Sequence, residues 1–84
     1  MIDIYTITYC PYCSAAKRLL EHYGFEYNEI NIEKSGMTRI DLQNKTGGRT
    51  VPQIVINGKF VGGYENLYAL HSNDSLKNFV EKDS

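Results

Sequence analysis

Two cysteines, Cys10 and Cys13, stand three positions apart in the run Tyr9-Cys10-Pro11-Tyr12-Cys13. Cysteines at that spacing serve redox exchange or metal binding, and the structure around them decides which. A structural zinc site wants four ligands, and besides this pair the chain offers only His22 and His71, neither at a finger-like spacing. A purely structural disulfide is the weaker reading, because so short a loop restricts the unfolded chain little. The residues before the pair, Ile2 to Ile7, alternate apolar and polar with β-branched and aromatic types, as a strand does. After it, Pro11 suits a first helical turn, and Tyr12, Ala16, Leu19, Leu20 and Tyr23 recur on one helix face that Gly24 ends. Cys10 therefore falls at a helix N-terminus, where unpaired N–H groups and the positive dipole end favour a thiolate. Cys13 lies one turn further in. That asymmetry assigns Cys10 as the nucleophile and Cys13 as the resolving thiol.

The elements that must hold this pair can be read along the chain. Phe25, Tyr27, Ile30 and Ile32 mark a second strand whose alternation slips at Glu29, which predicts a bulge or strand end there. The resulting β-helix-β unit implies a right-handed crossover. From Ser35 to Thr46 the chain is polar, with Met37, Ile40 and Leu42 as apolar points, and predicts a short helix stopped by Gly47-Gly48. Thr50-Val51-Pro52 precedes the next strand; without further information an X-Pro bond is cis in only about 5% of cases, so the sequence alone leaves it trans. Gln53 to Ile56 and Lys59 to Val61 flank Asn57-Gly58, a pair that supplies the positive φ angles of a tight hairpin turn. Tyr64, Leu67, Tyr68 and Leu70 then fall at helical spacing, and Leu76, Phe79 and Val80 predict a last helix introduced by Asn73 or Asp74. This order packs as an α/β fold, a four-stranded mixed sheet flanked by helices on both faces. A cysteine pair between the first strand and its helix sits on the rim such sheets offer to ligands.

Composition narrows the partners. The 84 residues fit one small domain spanning 1–84, with ordinary globular proportions of 42% hydrophobic and 23% charged residues. A net charge of −1 with both signs scattered argues against nucleic acid or an anionic membrane surface. The N-terminal run lacks the basic start and apolar core of a secretion signal, and no apolar stretch is long enough to span a bilayer, so a reducing cytoplasm is expected. His22 reads as a partly exposed helix residue and His71 as a residue favouring its helix end, rather than as bases.

Cys10-Pro11-Tyr12-Cys13, Thr50-Val51-Pro52-Gln53 and Gly62-Gly63 with Glu65 just behind resemble, in order and separation, the three signatures of dithiol glutaredoxins. The likeness covers nearly the whole chain. It implies a thioredoxin-like fold and a glutathione-dependent disulfide oxidoreductase in which Cys10 forms a mixed disulfide with glutathione and Cys13 resolves protein disulfides. It also implies that the Val51-Pro52 bond is cis, so that the Val51 backbone pairs with the cysteinyl part of glutathione. Gly63 and the helix start at Tyr64 would receive the γ-glutamyl carboxylate, and Glu65 or Asn66 its ammonium. Tyr12, Arg49, Thr50 and Gln53 would complete the groove toward the glycyl end. Glutathione is then a reducing co-substrate rather than a tightly bound cofactor, no metal is required, and the partners are disulfide-bonded or glutathionylated proteins met by a monomer.

Three positions depart from the pattern. Ile7 stands where a lysine is common three residues before the first cysteine. Asn66 replaces a second acidic residue, and Tyr64 a cysteine. Three other readings stay open on sequence grounds: a redoxin reduced by a flavoprotein, an iron–sulfur carrier bridging two chains through Cys10 and glutathione, and an unreactive binding module. The first leaves the residues around Gly63 without a task, the second is disfavoured by the stiffness Pro11 gives the motif, and the third requires an inert Cys10.

Overall fold

The computed structural model describes residues 1–82. Strand β1 (Ile2–Thr6) leads into helix α1 (Pro11–His22), strand β2 (Asn28–Asn31), the single turn α2 (Ile32–Ser35) and α3 (Arg39–Thr46); β3 (Gln53–Ile56), β4 (Lys59–Gly62), α4 (Tyr64–Ser72) and α5 (Leu76–Lys82) follow. The strands lie in the order β2-β1-β3-β4. β1 runs parallel to β2 and antiparallel to β3, and the β3-β4 hairpin is antiparallel, so the sheet is mixed as expected. Asn57 and Gly58 at its tip both have positive φ, 53° and 81°.

The alternation of β1 points Ile2 and Ile4 to one face, where they join Ile54 and Ile56 of β3, Ala16 and Leu20 of α1, Leu67 of α4 and Leu76 of α5 in one buried cluster. On the other side α3 packs on β3 and buries Leu42 apart from that cluster. The helices α1 and α4 lie against each other. The Tyr12 and Tyr64 rings meet at their N-terminal ends, 6.0 Å between centroids, and at their C-terminal ends the Tyr23 hydroxyl and His71 Nδ1 share a hydrogen bond.

Three local expectations are corrected. β2 carries no bulge: its register with β1 is unbroken from Asp3↔Asn28 to Thr6↔Asn31. The slip in alternation arises because Phe25 and Tyr27 precede the strand, while Ile32 already opens α2, which starts because the Asn31 side chain accepts the N–H groups of Glu33 and Lys34. The sheet's irregularity lies instead between Ile54 and Val55, opposite β4. Ser75, rather than Asn73 or Asp74, immediately precedes α5, and its carbonyl accepts the Phe79 N–H. Tyr12, read as part of the apolar face of α1, is 66% exposed.

Glu29 ties the cysteine-bearing unit together. It accepts a hydrogen bond from Thr6 Oγ1 of β1 at 2.8 Å and pairs with Lys17 Nζ of α1 at 3.2 Å. Partial burial raises its carboxyl pKa, but the bonds from Thr6 and Lys17 and the positive charges of Lys17 and Lys34 outweigh this and hold it below its ordinary 4.5. A carboxyl depressed in the folded state contributes stability above its unfolded pKa and loses it as pH falls through the folded value. Glu29→Gln is therefore expected to be less stable than the parent at neutral pH, by the roughly 0.2–1 kcal/mol of a partly exposed pair, and to match it once the pH is well below 4.5. Urea titrations at neutral and strongly acid pH measure this; a gap that stays constant across the range refutes the ionic account.

Candidate active site

The loop Ile7-Thr8-Tyr9 carries the chain from β1 to Cys10. Glu33 of α2 accepts the Thr8 N–H at 3.0 Å, which lowers the Glu33 carboxyl pKa and anchors the loop. Cys10 is the N-cap of α1, in extended conformation, with Pro11 as the first helical residue. Its carbonyl accepts the Ser14 N–H at 3.0 Å and its Sγ accepts the Cys13 N–H at 3.1 Å. The sulfur thus takes the place of a capping oxygen at the positive end of a helix, an arrangement that stabilises a thiolate. The two cysteines form a disulfide with Cα atoms 5.1 Å apart. Cys13 is only 2% exposed while Cys10 is accessible. An incoming sulfur can therefore reach Cys10 and not Cys13.

A groove of about 660 Å³ opens beside this pair, with Tyr12 as one wall. Thr50, Val51, Pro52 and Gln53 form its floor, and Gly63, Tyr64, Glu65 and Asn66 the side opposite. The Val51-Pro52 bond is cis. A Cβ on Gly63 would lie 3.6 Å from the Pro52 carbonyl oxygen, so the start of α4 sits directly against this bend. Gly63 is the N-cap of α4, and its N–H is accepted by Asn66 Oδ1 at 3.1 Å. The N–H groups of Tyr64 and Glu65 in the first turn have no intrahelical acceptor and mark an anion-favouring corner. Glu65 stands exposed beside them.

Nine of the ten residues expected around the groove line it. Arg49 does not: it is exposed at the α3–β3 connection, where its carbonyl accepts a hydrogen bond from Arg39 Nη1 at 3.0 Å. Gln53 lines the groove with a buried side chain whose amide donates to Thr50 Oγ1 at 3.3 Å. Sequence reasoning missed the wall made by Thr46, Gly47, Gly48, Phe60, Val61 and Gly62. The signal is present in part, since the sequence marks Gly47-Gly48 as a helix stop; Gly48 also leaves the room that Gln53 fills, because a Cβ there would meet Gln53 Nε2 at 2.5 Å. Among the described residues no three His, Cys, Asp or Glu side chains gather as metal ligands, and no helix is long and apolar enough to cross a membrane.

The glutaredoxin family model matches residues 2–61. Glutaredoxin 3 of Escherichia coli is 39% identical over 75 residues, 89% of this chain and 90% of its own length. The glutaredoxin of Pseudomonas aeruginosa is 45% identical over 69 residues, 82% of each chain. Among solved structures, a buckwheat glutaredoxin–glutathione complex superposes with a TM-score of 0.88 at 29% identity, covering 98% of this chain and 77% of that one.

Proposed function

The chain belongs to the glutaredoxin family and is a thiol–disulfide oxidoreductase, and from that premise we propose that glutathione is its reductant, with Cys10 as the nucleophile and Cys13 as the resolving thiol. The observation that carries the division of labour is the Cys13 N–H directed at the Cys10 sulfur, 3.1 Å away, with the Cys13 side chain itself buried. In the reduced protein the Cys10 thiolate attacks the glutathionyl sulfur of a mixed disulfide. The S–S bond breaks, the substrate leaves as a thiolate and takes a proton, and Cys10 carries glutathione. A second glutathione thiolate attacks that sulfur, glutathione disulfide departs, and Cys10 is a thiolate again. With a protein disulfide, Cys10 attacks one sulfur and releases the other as a thiolate, Cys13 displaces the substrate from Cys10, and two glutathiones in turn reduce the Cys10–Cys13 bond and leave as glutathione disulfide.

The groove supports this substrate. The Val51 backbone beside the cis bond offers an N–H and C=O to the cysteinyl unit of glutathione, and the first-turn N–H groups of α4 suit its γ-glutamyl carboxylate. Glu65 is the group for its ammonium, since the Asn66 oxygen is occupied by the Gly63 N–H. A coupled assay tests the reading: the pure protein should turn over the mixed disulfide of glutathione and 2-mercaptoethanol when supplied with glutathione and its NADPH-linked reductase. Activity only with a thioredoxin reductase would overturn it.

The missing cation at position 7 gives a second test. Ile7 is half-buried just past β1, three residues ahead of Cys10. Ile7→Lys is expected to lower the apparent KM for glutathione by a few fold at most, about 0.2–1 kcal/mol for an exposed charge pair, and to shift Cys10 alkylation to lower pH. The gain should shrink with added salt. A less stable protein whose glutathione dependence is unchanged at both salt levels would assign Ile7 to packing alone.

A further inference from the structure

The two ends of the groove differ in charge. At the α4 end lie Glu65 and the helix N-terminus, whereas the other end, beyond the Thr50–Gln53 floor, is made by Phe60, Gly47, Gly48 and Thr46 and carries no charged side chain. Phe60 is 61% exposed on the edge strand β4. Its ring lies against Gly47, where a Cβ would come 3.6 Å from Phe60 Cδ2. The neighbouring cation is turned away, with Lys59 Nζ over the Phe79 ring at 5.9 Å, and Arg49 lies outside the groove. Glutathione is charged at both ends and has no apolar side chain beyond its cysteine, so it gives an uncharged aromatic shelf no partner.

We propose that the Gly47–Phe60 shelf receives an apolar side chain of a polypeptide substrate flanking the cysteine whose disulfide is reduced. This rests on the thiol exchange at Cys10 described above but not on glutathione as reductant. The shelf is continuous with the Val51-Pro52 floor, so a polypeptide laid along that floor brings its disulfide to the cysteine pair and a neighbouring residue to Phe60. The Cys10 thiolate attacks one sulfur of the substrate disulfide and releases one peptide thiolate. Cys13 then attacks the Cys10 sulfur and releases the other, leaving the Cys10–Cys13 disulfide. Polypeptide and glutathione use the floor in turn, and only the polypeptide extends onto the shelf.

The test uses the pre-reduced protein in single turnover, which needs no glutathione. Its substrates are two disulfide-linked peptide dimers identical except for leucine or serine on both sides of the cysteine. The parent is expected to react about tenfold faster with the leucine dimer at subsaturating peptide, the lower range for an apolar group gained at a one-sided site. Phe60→Ala should bring the ratio below about twofold, and Phe60→Leu should keep an intermediate ratio. A parent ratio near one, or a ratio that survives Phe60→Ala, overturns the proposal. So does a concentration-dependent dimer of the parent that Phe60→Ala abolishes, which would assign the shelf to a second copy of the chain. Failure of the parent to use glutathione in the coupled assay, with the peptide ratio intact, would remove the glutathione reading and leave the shelf standing.

Discussion

Cys10→Ser is expected to lose exchange with every disulfide substrate, by about three orders of magnitude or more as for removal of any covalent nucleophile, while Cys13→Ser keeps turnover of small glutathione mixed disulfides. The reasoning is geometric. A serine at the N-cap still satisfies the Cys13 N–H, so α1 should form and the loss should be chemical rather than structural; an unchanged melting temperature would verify this. In Cys13→Ser, Cys10 remains capped by a backbone N–H at the dipole's positive end, and on the proposed route a second glutathione should still free it of glutathione. What that variant loses is release of a protein held on Cys10, which needs the buried thiol. It should accumulate Cys10–substrate adducts visible by mass spectrometry. Iodoacetamide at mildly acid pH should label Cys10 first in the reduced parent, because only a thiolate reacts. Preferential labelling of Cys13, or equal losses in the two serine variants with small mixed disulfides, would reverse the assignment.

The second large effect is expected from a single methyl group. Gly62 has φ of +114°, and a Cβ there would fall 2.7 Å from Asn66 Oδ1. Gly62→Ala combines backbone strain of about 1–3 kcal/mol with displacement of the oxygen that accepts the Gly63 N–H. The melting temperature should drop by at least about 4 °C, the shift that 1 kcal/mol produces in a domain of this size. The apparent KM for glutathione should rise more than kcat falls, because the start of α4 shifts while Cys10 and Cys13 keep their helix. Asn66→Ala separates the two causes: it removes the cap without straining Gly62, so it should reproduce the KM change with a smaller loss of stability. Gly62→Ala with the parent's melting temperature and KM would show that the turn absorbs the methyl group, and Asn66→Ala with the parent's KM would show that the cap is unimportant.

How much was legible in advance follows from the range of the forces involved. The Cys10 cap and the Asn57-Gly58 turn are set by neighbouring residues, and both appear where local chemistry puts them. The α2 turn escaped because Ile32 continues an apolar pattern, although Asn31 followed by Glu33 carries a helix-start signal. Tyr12 misled for a different reason: periodicity places a residue on a helix face but does not say whether that face meets the core or the rim, and here the Tyr64 ring is its neighbour. The cis bond at Pro52 was invisible to local reasoning and came only with the family likeness. The far wall of the groove is assembled from α3's end and the edge strand, segments distant in sequence, so Gly47-Gly48 marks where the helix stops but not that Phe60 lies against it.

The bond between the Tyr23 hydroxyl and His71 lies at the opposite ends of α1 and α4 from the chemistry. Since the N-termini of these two helices carry two sides of the groove, a bond at their far ends bears on the tilt of one helix against the other. Helix α1 has 12 residues, about 18 Å at 1.5 Å per residue, so a tilt of about 3° at that bond displaces its N-terminal end by about 1 Å. An error of that size at reacting atoms can cost about a hundredfold in rate. The leverage falls on the spacing between the Cys10 sulfur and the α4 corner, which glutathione bound as proposed would bridge. A phenol and an imidazole remote from every reacting atom therefore act on the width of the groove, together with the Tyr12–Tyr64 contact at the near end.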